Sequence, residues 1–579
     1  MRETERNFPF KDLFFPLTTK KAIAFIILVG AIVYFNSLFG QFIWDDLSFI
    51  SNQDIRSLNI LHLLGLNVSN TLSFYRPVSA IYLAILFKIF NDNSFYYHFI
   101  QMSLHILNAC LVFVLFKKFF KRGLSFFLAL LFLVHPIQVE SVAYIAANQS
   151  EIFFLFGILA LLISTKDKLN IAQIFLIPVL LLLSLFTKET GFLFVLLLLF
   201  FQFLFRKKRL LFFAAPTTVV LLIYLIIRLT LVHAYFGEFG FVPVSELPLM
   251  QRVITMPKII FYYIKTLFYP ANLAIDQQWV VTKLDFQQFY LPVIIDIVFF
   301  ILLSLAGVCI YRKNRKSFLA FIFFFVWFLM GVGIVLQIIP LDMTVADRWF
   351  YFPLVGFLGC LGALLNEIHL KNRLSKTLCL SGAILIVVFS VRTIVRNQNW
   401  QNQLTLYSHD VRVEANYDSD NNYAAVLSYE GKWDEAYTYI KKSVELYPYE
   451  KNLRELGLIY KHFGKMELAK DYFYKALDAK TYILPPHKHE IPTYEYISEF
   501  QYFYGDTKEA VRITKMGIDD YPDSSDLWIL LAISEYKLKN QNSALKAAEK
   551  AYSIQKTDQT TYLYRQLLNS QPLSITTGF

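Results

Sequence analysis

Two adjacent carboxylates, Asp45 and Asp46, stand in the stretch Gly40-Gln41-Phe42-Ile43-Trp44-Asp45-Asp46-Leu47, directly after the first long apolar run, Lys21 to Phe39. Charge kept at the mouth of a membrane helix costs free energy, so such a pair is read first as functional. The plain alternative is a solvated acidic turn. One carboxylate beside another has a raised proton affinity and can serve as a general base. Further ionisable residues recur at the same ends of later apolar runs: Arg76, His135-Pro136 with Glu140, Glu151, Lys188-Glu189, and Asp347-Arg348. A set gathered on one side points to a site facing that side. Helix ends are also where long charged side chains snorkel most easily, which accounts for any one of them.

The elements that must position these residues are membrane helices. The 579-residue chain is 56% hydrophobic and 17% aromatic, more apolar than soluble proteins. It contains many runs near the roughly 20 residues a span requires. Its net charge of +11 lies in Lys/Arg clusters between those runs and reports topology rather than a nucleic-acid partner. Cys110, Cys309, Cys360 and Cys379 lie in or beside apolar runs and form no disulfide or metal-spaced set. The first run lacks a small-residue cleavage site and is read as a retained helix.

Positive charge before the first run places the N-terminus inside. Eleven spans are expected, at about 21–39, 97–116, 123–138, 150–164, 170–186, 190–205, 210–231, 289–311, 317–339, 349–368 and 377–395. Residues 77–90 are too short to cross and are expected to lie at the interface. This assignment puts the basic cluster 117–122 and the later basic clusters inside. The long loop 232–288 carries an amphipathic piece from Pro257 to Pro270. The domain layout expected is a membrane domain at 1–395, a linker at 396–418, and an outward-facing repeat domain at 419–579.

The repeats are legible after Trp400. Ala436, Ala469, Ala510 and Ala544 recur at spacings of 33, 41 and 34 residues, three of them following a Gly-x-x-x-Glu pattern or a close variant. Spacings near 34 are the tetratricopeptide period, each repeat being a helix pair. An insertion around Leu484-Pro485-Pro486 accounts for the longer step. Stacked pairs form a solenoid whose concave face suits extended segments, or a scaffold or dimerisation module.

The order of these motifs is specific. The Asp pair is followed by Tyr75-Arg76-Pro77, His98-Phe99 with His105, His135-Pro136-Ile137-Gln138-Val139-Glu140, Lys188-Glu189-Thr190-Gly191, Ala346-Asp347-Arg348-Trp349-Phe350-Tyr351-Phe352-Pro353, Arg396-Asn397-Gln398-Asn399-Trp400, and then the repeats. Over essentially the whole chain this resembles the transmembrane-and-tetratricopeptide O-mannosyltransferase family of the GT-C superfamily. The resemblance implies an all-α GT-C membrane core, a polyprenyl-phosphate hexose donor, acceptor hydroxyls on exported proteins, and repeats on the extracytoplasmic side. The chain departs from relatives in carrying Asn148 where they often place Arg. Its outer-loop segment is also reduced to Asn272-Leu273-Ala274-Ile275-Asp276 followed by Trp279.

On these terms the chain is expected to be a hexosyltransferase, with mannose the sugar favoured. Asp45 or Asp46 would be the base, with Asp45 preferred. Arg348 would stabilise the departing lipid phosphate, with Arg76, Lys188 and Arg228 as alternates. Tyr351 would position the phosphate. Glu140 and Glu189 would bind sugar hydroxyls, orient the cations or help hold a divalent metal, and Asp347 would complete the set. No metal is required by the spacing. Two other classes remain: a transporter or flippase of lipid-linked precursors, and a non-catalytic scaffold recruiting proteins through its repeats. Asn67-Val68-Ser69 and Asn148-Gln149-Ser150 match the N-glycosylation pattern. A bacterial plasma membrane is favoured over the endoplasmic reticulum.

Overall fold

A computed structural model describes residues 16–64, 74–231, 242–368, 372–481 and 488–573. Asn67-Val68-Ser69, Lys371 and the Leu484-Pro485-Pro486 insertion lie outside them. The chain divides into two compact units. The first comprises Met1–Gly237 and Leu247–Glu414, and the second Glu238–Glu246 and Ala415–Phe579. Residues 396–414, expected as linker, end one long helix and form another within the first unit.

In the first unit every expected apolar run forms a helix, and two further helices, α5 and α15, join them: α1 (Thr19–Val33), α2 (Pro77–Phe90), α3 (Ser94–Phe116), α4 (Arg122–Val134), α5 (Val139–Ala143), α6 (Asn148–Ser164), α7 (Ile171–Thr187), α8 (Phe192–Phe205), α9 (Leu210–Ile226), α10 (Leu249–Phe268), α11 (Leu291–Lys313), α12 (Arg315–Gly333), α13 (Tyr351–Asn366), α14 (Asn372–Asn399) and α15 (Gln403–Val413). Seven helical segments among the described residues are long and apolar enough to cross a membrane by length and composition, or eight if α4 and the segment after it are one bent span. The first apolar helix and the segments Ile171–Thr187 and Glu189–Phe205 are shorter. The expected eleven spans are therefore not what length alone yields.

Local chemistry explains the breaks. Pro136 has no N–H to continue α4 and restricts His135 to extended backbone, so the chain turns by 50° between 134 and 136. The run expected at 317–339 stops at Gly333. Gln337, in left-handed backbone, pins the following loop through Nε2 to the carbonyls of Met343 and Thr344 (2.8 and 3.0 Å). Helices α12 and α13 approach closely at Gly356, where a Cβ would lie 2.4 Å from the Phe328 nitrogen. A helix, α2, forms over the run expected to lie at the interface, with Pro77 at its first turn, and buries Leu83, Ala84 and Leu86 in a cluster with Tyr97.

The second unit is a run of helix pairs: α16 (Tyr417–Tyr429) with α17 (Trp433–Leu446), α18 (Glu450–His462) with α19 (Met466–Asp478), α20 (Ile491–Tyr504) with α21 (Thr507–Asp520), α22 (Ser525–Lys537) with α23 (Gln541–Ile554), and a closing α24 (Asp558–Leu568). The four periodic alanines are fully buried where paired helices meet. Gly431 and Gly464 make their turns with positive φ, but Gly505 does not, and in the last repeat Lys539 takes the left-handed position.

Candidate active site

The Asp pair sits on a tight turn. Trp44 occupies left-handed backbone at φ 53°, and Gly40 lies where a Cβ would come within 2.9 Å of His98 Nε2. The two carboxylates then part company. Asp46 is buried, and its Oδ2 and Oδ1 accept the backbone N–H groups of Ile43 (3.1 Å) and Ala146 (2.7 Å). Burial pushes its carboxyl up to about 8 against the pull of those donors. Asp45 is exposed and accepts a hydrogen bond from the Tyr144 hydroxyl at 2.8 Å. Burial and Asp45 itself hold the Tyr144 phenol well above its ordinary value, so it remains a donor. Tyr144 stacks on Trp44 and packs against Trp400, with centroids 5.2 and 5.7 Å apart, forming an aromatic wall beside Asp45.

Arg348 faces the same wall, its guanidinium 5.9 Å from the Trp44 ring. It is anchored by Glu140, which pairs with the guanidinium through Oε1 and accepts the Arg348 backbone N–H through Oε2 (2.9 Å). Asp342 lies 3.9 Å from the other side of the fork. Asp347 does not pair with Arg348. Its Oδ1 accepts the Tyr262 hydroxyl (2.6 Å), and that hydroxyl is in turn held by Gln277 (2.8 Å). The reduced outer-loop segment thus has a structural role: Gln277 and Trp279 carbonyls accept from Thr344, fixing the strand of chain that leads into Asp347.

A second cationic group lies near the first. Arg76 grips Glu189 Oε2 with Nε and an η nitrogen (3.0 and 2.9 Å), and Arg228 reaches Glu189 Oε1 (3.1 Å). Lys188 donates to Ser150 Oγ (3.1 Å). Burial, then Arg76 and Arg348, hold its ammonium down to about 7, so it senses both groups. Lys188, with the Arg76–Glu189–Arg228 group, is thus linked electrostatically to Arg348, which in turn acts on the Tyr144 phenol that holds Asp45.

Tyr351, expected to touch phosphate, is placed elsewhere. It is buried within the bundle, its hydroxyl bonded to His105 Nδ1 and Asn108 Nδ2 at 3.0 Å each. Asn148 is also buried, bonded to the Ser79 hydroxyl (2.7 Å), and Ser150 is buried with it, so the folded Asn148-Gln149-Ser150 tripeptide presents no acceptor for glycosylation. Among the described residues no group of three or more His, Cys, Asp or Glu is placed to hold a metal.

Several residues of the site were not singled out as functional from the sequence. Tyr144 and Tyr262, which orient the two acids, are invisible among 35 tyrosines. Arg396 opens the Arg396-Asn397-Gln398-Asn399-Trp400 motif. It is buried over Trp400 (5.5 Å), reaches His409 Nδ1 (3.1 Å), and lies 3.8 Å from Asp410, which holds the Ile275 N–H (2.8 Å). Basic residues at the end of an apolar run were the available signal.

No family model matches the chain. It aligns with the mouse protein O-mannosyl-transferase TMTC3 at 22% identity over 467 residues, 72% of this chain and 50% of the relative. The Caenorhabditis elegans protein O-mannosyl-transferase F38B6.6 is 23% identical over 420 residues, 67% of this chain and 57% of the relative. Mouse protein O-mannosyl-transferase TMTC1 is 34% identical over 191 residues, 28% of this chain and 20% of the relative. The chain spans about half the length of the first two.

Proposed function

We propose that this chain, similar in sequence over most of its length to transmembrane-and-tetratricopeptide O-mannosyltransferases, is itself a GT-C-type hexosyltransferase. It moves mannose from a polyprenyl-phosphate donor to Ser or Thr hydroxyls of exported proteins on the extracytoplasmic face. The observation that carries this is the separation of roles in the Asp pair. Asp46 is consumed by two backbone N–H groups, while Asp45 is exposed and oriented by Tyr144, whose phenol lies within the field of Arg348.

In the reaction, the Asp45 carboxylate takes the acceptor hydroxyl proton as the new C1–O bond forms and the C1–O bond to phosphate breaks. The lipid phosphate leaves as an anion and needs charge stabilisation more than a proton. Arg76 and Lys188 are the groups assigned to it. Arg348, fixed by Glu140, adds a preorganised positive field beside Asp45, and Glu189 keeps Arg76 and Arg228 from repelling one another. A resident metal has no role in this scheme. The N-terminus is assigned inside and the repeats outside from the distribution of Lys and Arg, with a bacterial plasma membrane favoured. The repeats are assigned to holding the acceptor protein.

The test is transfer from a panel of labelled polyprenyl-phosphate sugars to exported protein in purified membranes. Labelling of a Ser/Thr-containing acceptor with mannose is expected. Transbilayer movement of the donor without any transfer would overturn the assignment in favour of a transporter.

A further inference from the structure

The first turn of α6 carries an acid that the proposed chemistry leaves unused. Glu151 is fully buried, and neither of its carboxylate oxygens has a hydrogen-bond partner among the described residues. No cationic group among them offsets that burial. A buried carboxylate is kept where something neutralises it.

The surroundings are rich in oxygen and short of protons. Ser79 on α2 donates to Asn148 on α6 (2.7 Å), and Tyr82 and Glu151 each lie three residues further along the same helix faces. The Glu151 carboxylate acts electrostatically on the hydroxyls of Tyr34, Tyr82 and Tyr351. From α3, Asn108 spends its Nδ2 on the Glu151 carbonyl and the Tyr351 hydroxyl (3.0 Å each), which leaves its buried Oδ1 without a partner. The Tyr34 hydroxyl donates to the Leu133 carbonyl (3.1 Å). That carbonyl also accepts from His105 Nε2 (3.0 Å), so Nδ1 of the neutral ring accepts the Tyr351 hydroxyl proton (3.0 Å). Of these hydroxyls only that of Tyr82 keeps its proton, and it is buried out of hydrogen-bond reach of the carboxylate.

We infer that the Glu151 carboxylate, Asn108 Oδ1 and the Tyr82 hydroxyl form a binding site for one monovalent alkali cation between α2, α3 and α6. The four unpartnered oxygens are hard donors of the kind such an ion takes. Their single negative charge balances one positive charge, whereas Ca²⁺ takes about six to eight oxygens and favours several carboxylates. A proton on Glu151 satisfies at most its own oxygen and one neighbour; a cation draws all four. Water supplies protons but leaves the buried charge uncompensated. The first-turn position lets the ion arrive from the end of the span rather than across the hydrocarbon. The adjacent Ser150 accepts from Lys188 (3.1 Å), so the bound ion fixes the turn that holds that ammonium.

The experiment melts the full chain in nanodiscs in choline, sodium or potassium chloride at one ionic strength and one pH. Sodium or potassium should raise the melting temperature over choline by at least about 3 °C, and the rise should saturate with concentration. Tyr82→Phe breaks no hydrogen bond among the described residues. It should melt like the parent in choline and need at least about threefold more cation for half the shift. Glu151→Gln should fold and melt at one temperature in all three salts. Three results would each overturn the inference: equal melting of the parent chain in the three salts, a full salt response in Glu151→Gln, or an unchanged half-point in Tyr82→Phe. A melt that responds to pH but not to alkali cation would show a proton on Glu151 instead, and would overturn it too.

Discussion

Replacing the two adjacent acids one at a time separates chemistry from folding. In Asp45→Asn the amide oxygen still accepts the Tyr144 hydroxyl that now lies 2.8 Å from the carboxylate, so the turn is kept while the base is lost. A positioned general base contributes about 10²–10⁴-fold, and kcat should fall by that factor with little change in melting. In Asp46→Asn the single oxygen satisfies only one of the Ile43 and Ala146 N–H groups, and the amide nitrogen is turned against the other. An unsatisfied buried donor costs about 1–3 kcal/mol, so the variant should melt earlier and lose activity in proportion to folded protein. The assay is initial-rate transfer of labelled mannose in proteoliposomes, normalised to protein folded by fluorescence-monitored melting. Asp45→Asn at the parent rate would refute the assignment. So would an Asp46→Asn variant that melts normally yet is inactive.

Three further outcomes follow from the geometry. The Arg348–Glu140 pair is 9% and 1% exposed, so Glu140→Gln leaves a buried cation and should cost about 3–5 kcal/mol in a melt. Adding Arg348→Met to it should restore stability but not transfer. Because the Lys188 ammonium is held down to about 7, the donor KM should rise by up to about tenfold from pH 6 to pH 8 as its charge is lost. Lys188→Arg, which stays charged, should flatten that profile; an unchanged profile would remove Lys188 from donor binding. In the repeats, burial, then Asp526 and Glu499, raise Glu495 to about 7. The folded state then holds a proton that the unfolded state releases near its ordinary value of 4.5, so stability falls as pH rises from there through 7. Glu495→Gln should therefore melt higher than the parent at pH 8 and equally at pH 4.

Much of the architecture was legible without coordinates because it follows from short-range rules. Apolar run lengths fixed where helices form, the 14-residue run at Pro77–Phe90 marked a short helix, and alanines about 34 residues apart identified the paired helices of the repeats. Motif order along the chain carried the family resemblance. The span count was less legible, since α1, α7 and α8 are short and hydropathy alone does not decide whether such helices cross.

Tertiary structure decided which partners each residue of an adjacent pair takes. Asp45 and Asp46 are chemically identical neighbours; the local Ile43 N–H and that of Ala146, a hundred residues away, bind Asp46, while Asp45 stays exposed. The same holds for Asp347 and Arg348. Their adjacency invites an ion pair, but Asp347 turns to Tyr262 while Arg348 is taken by Glu140, 208 residues distant. Tyr351 sits beside a charged motif in sequence and inside the bundle in space, because the next helical turn carries it toward His105 and Asn108. Sequence by itself determined which side chains exist at the ends of the helices. Their hydrogen-bond partners depend on how distant helices pack, and those partners determine which groups are anchors and which remain for chemistry.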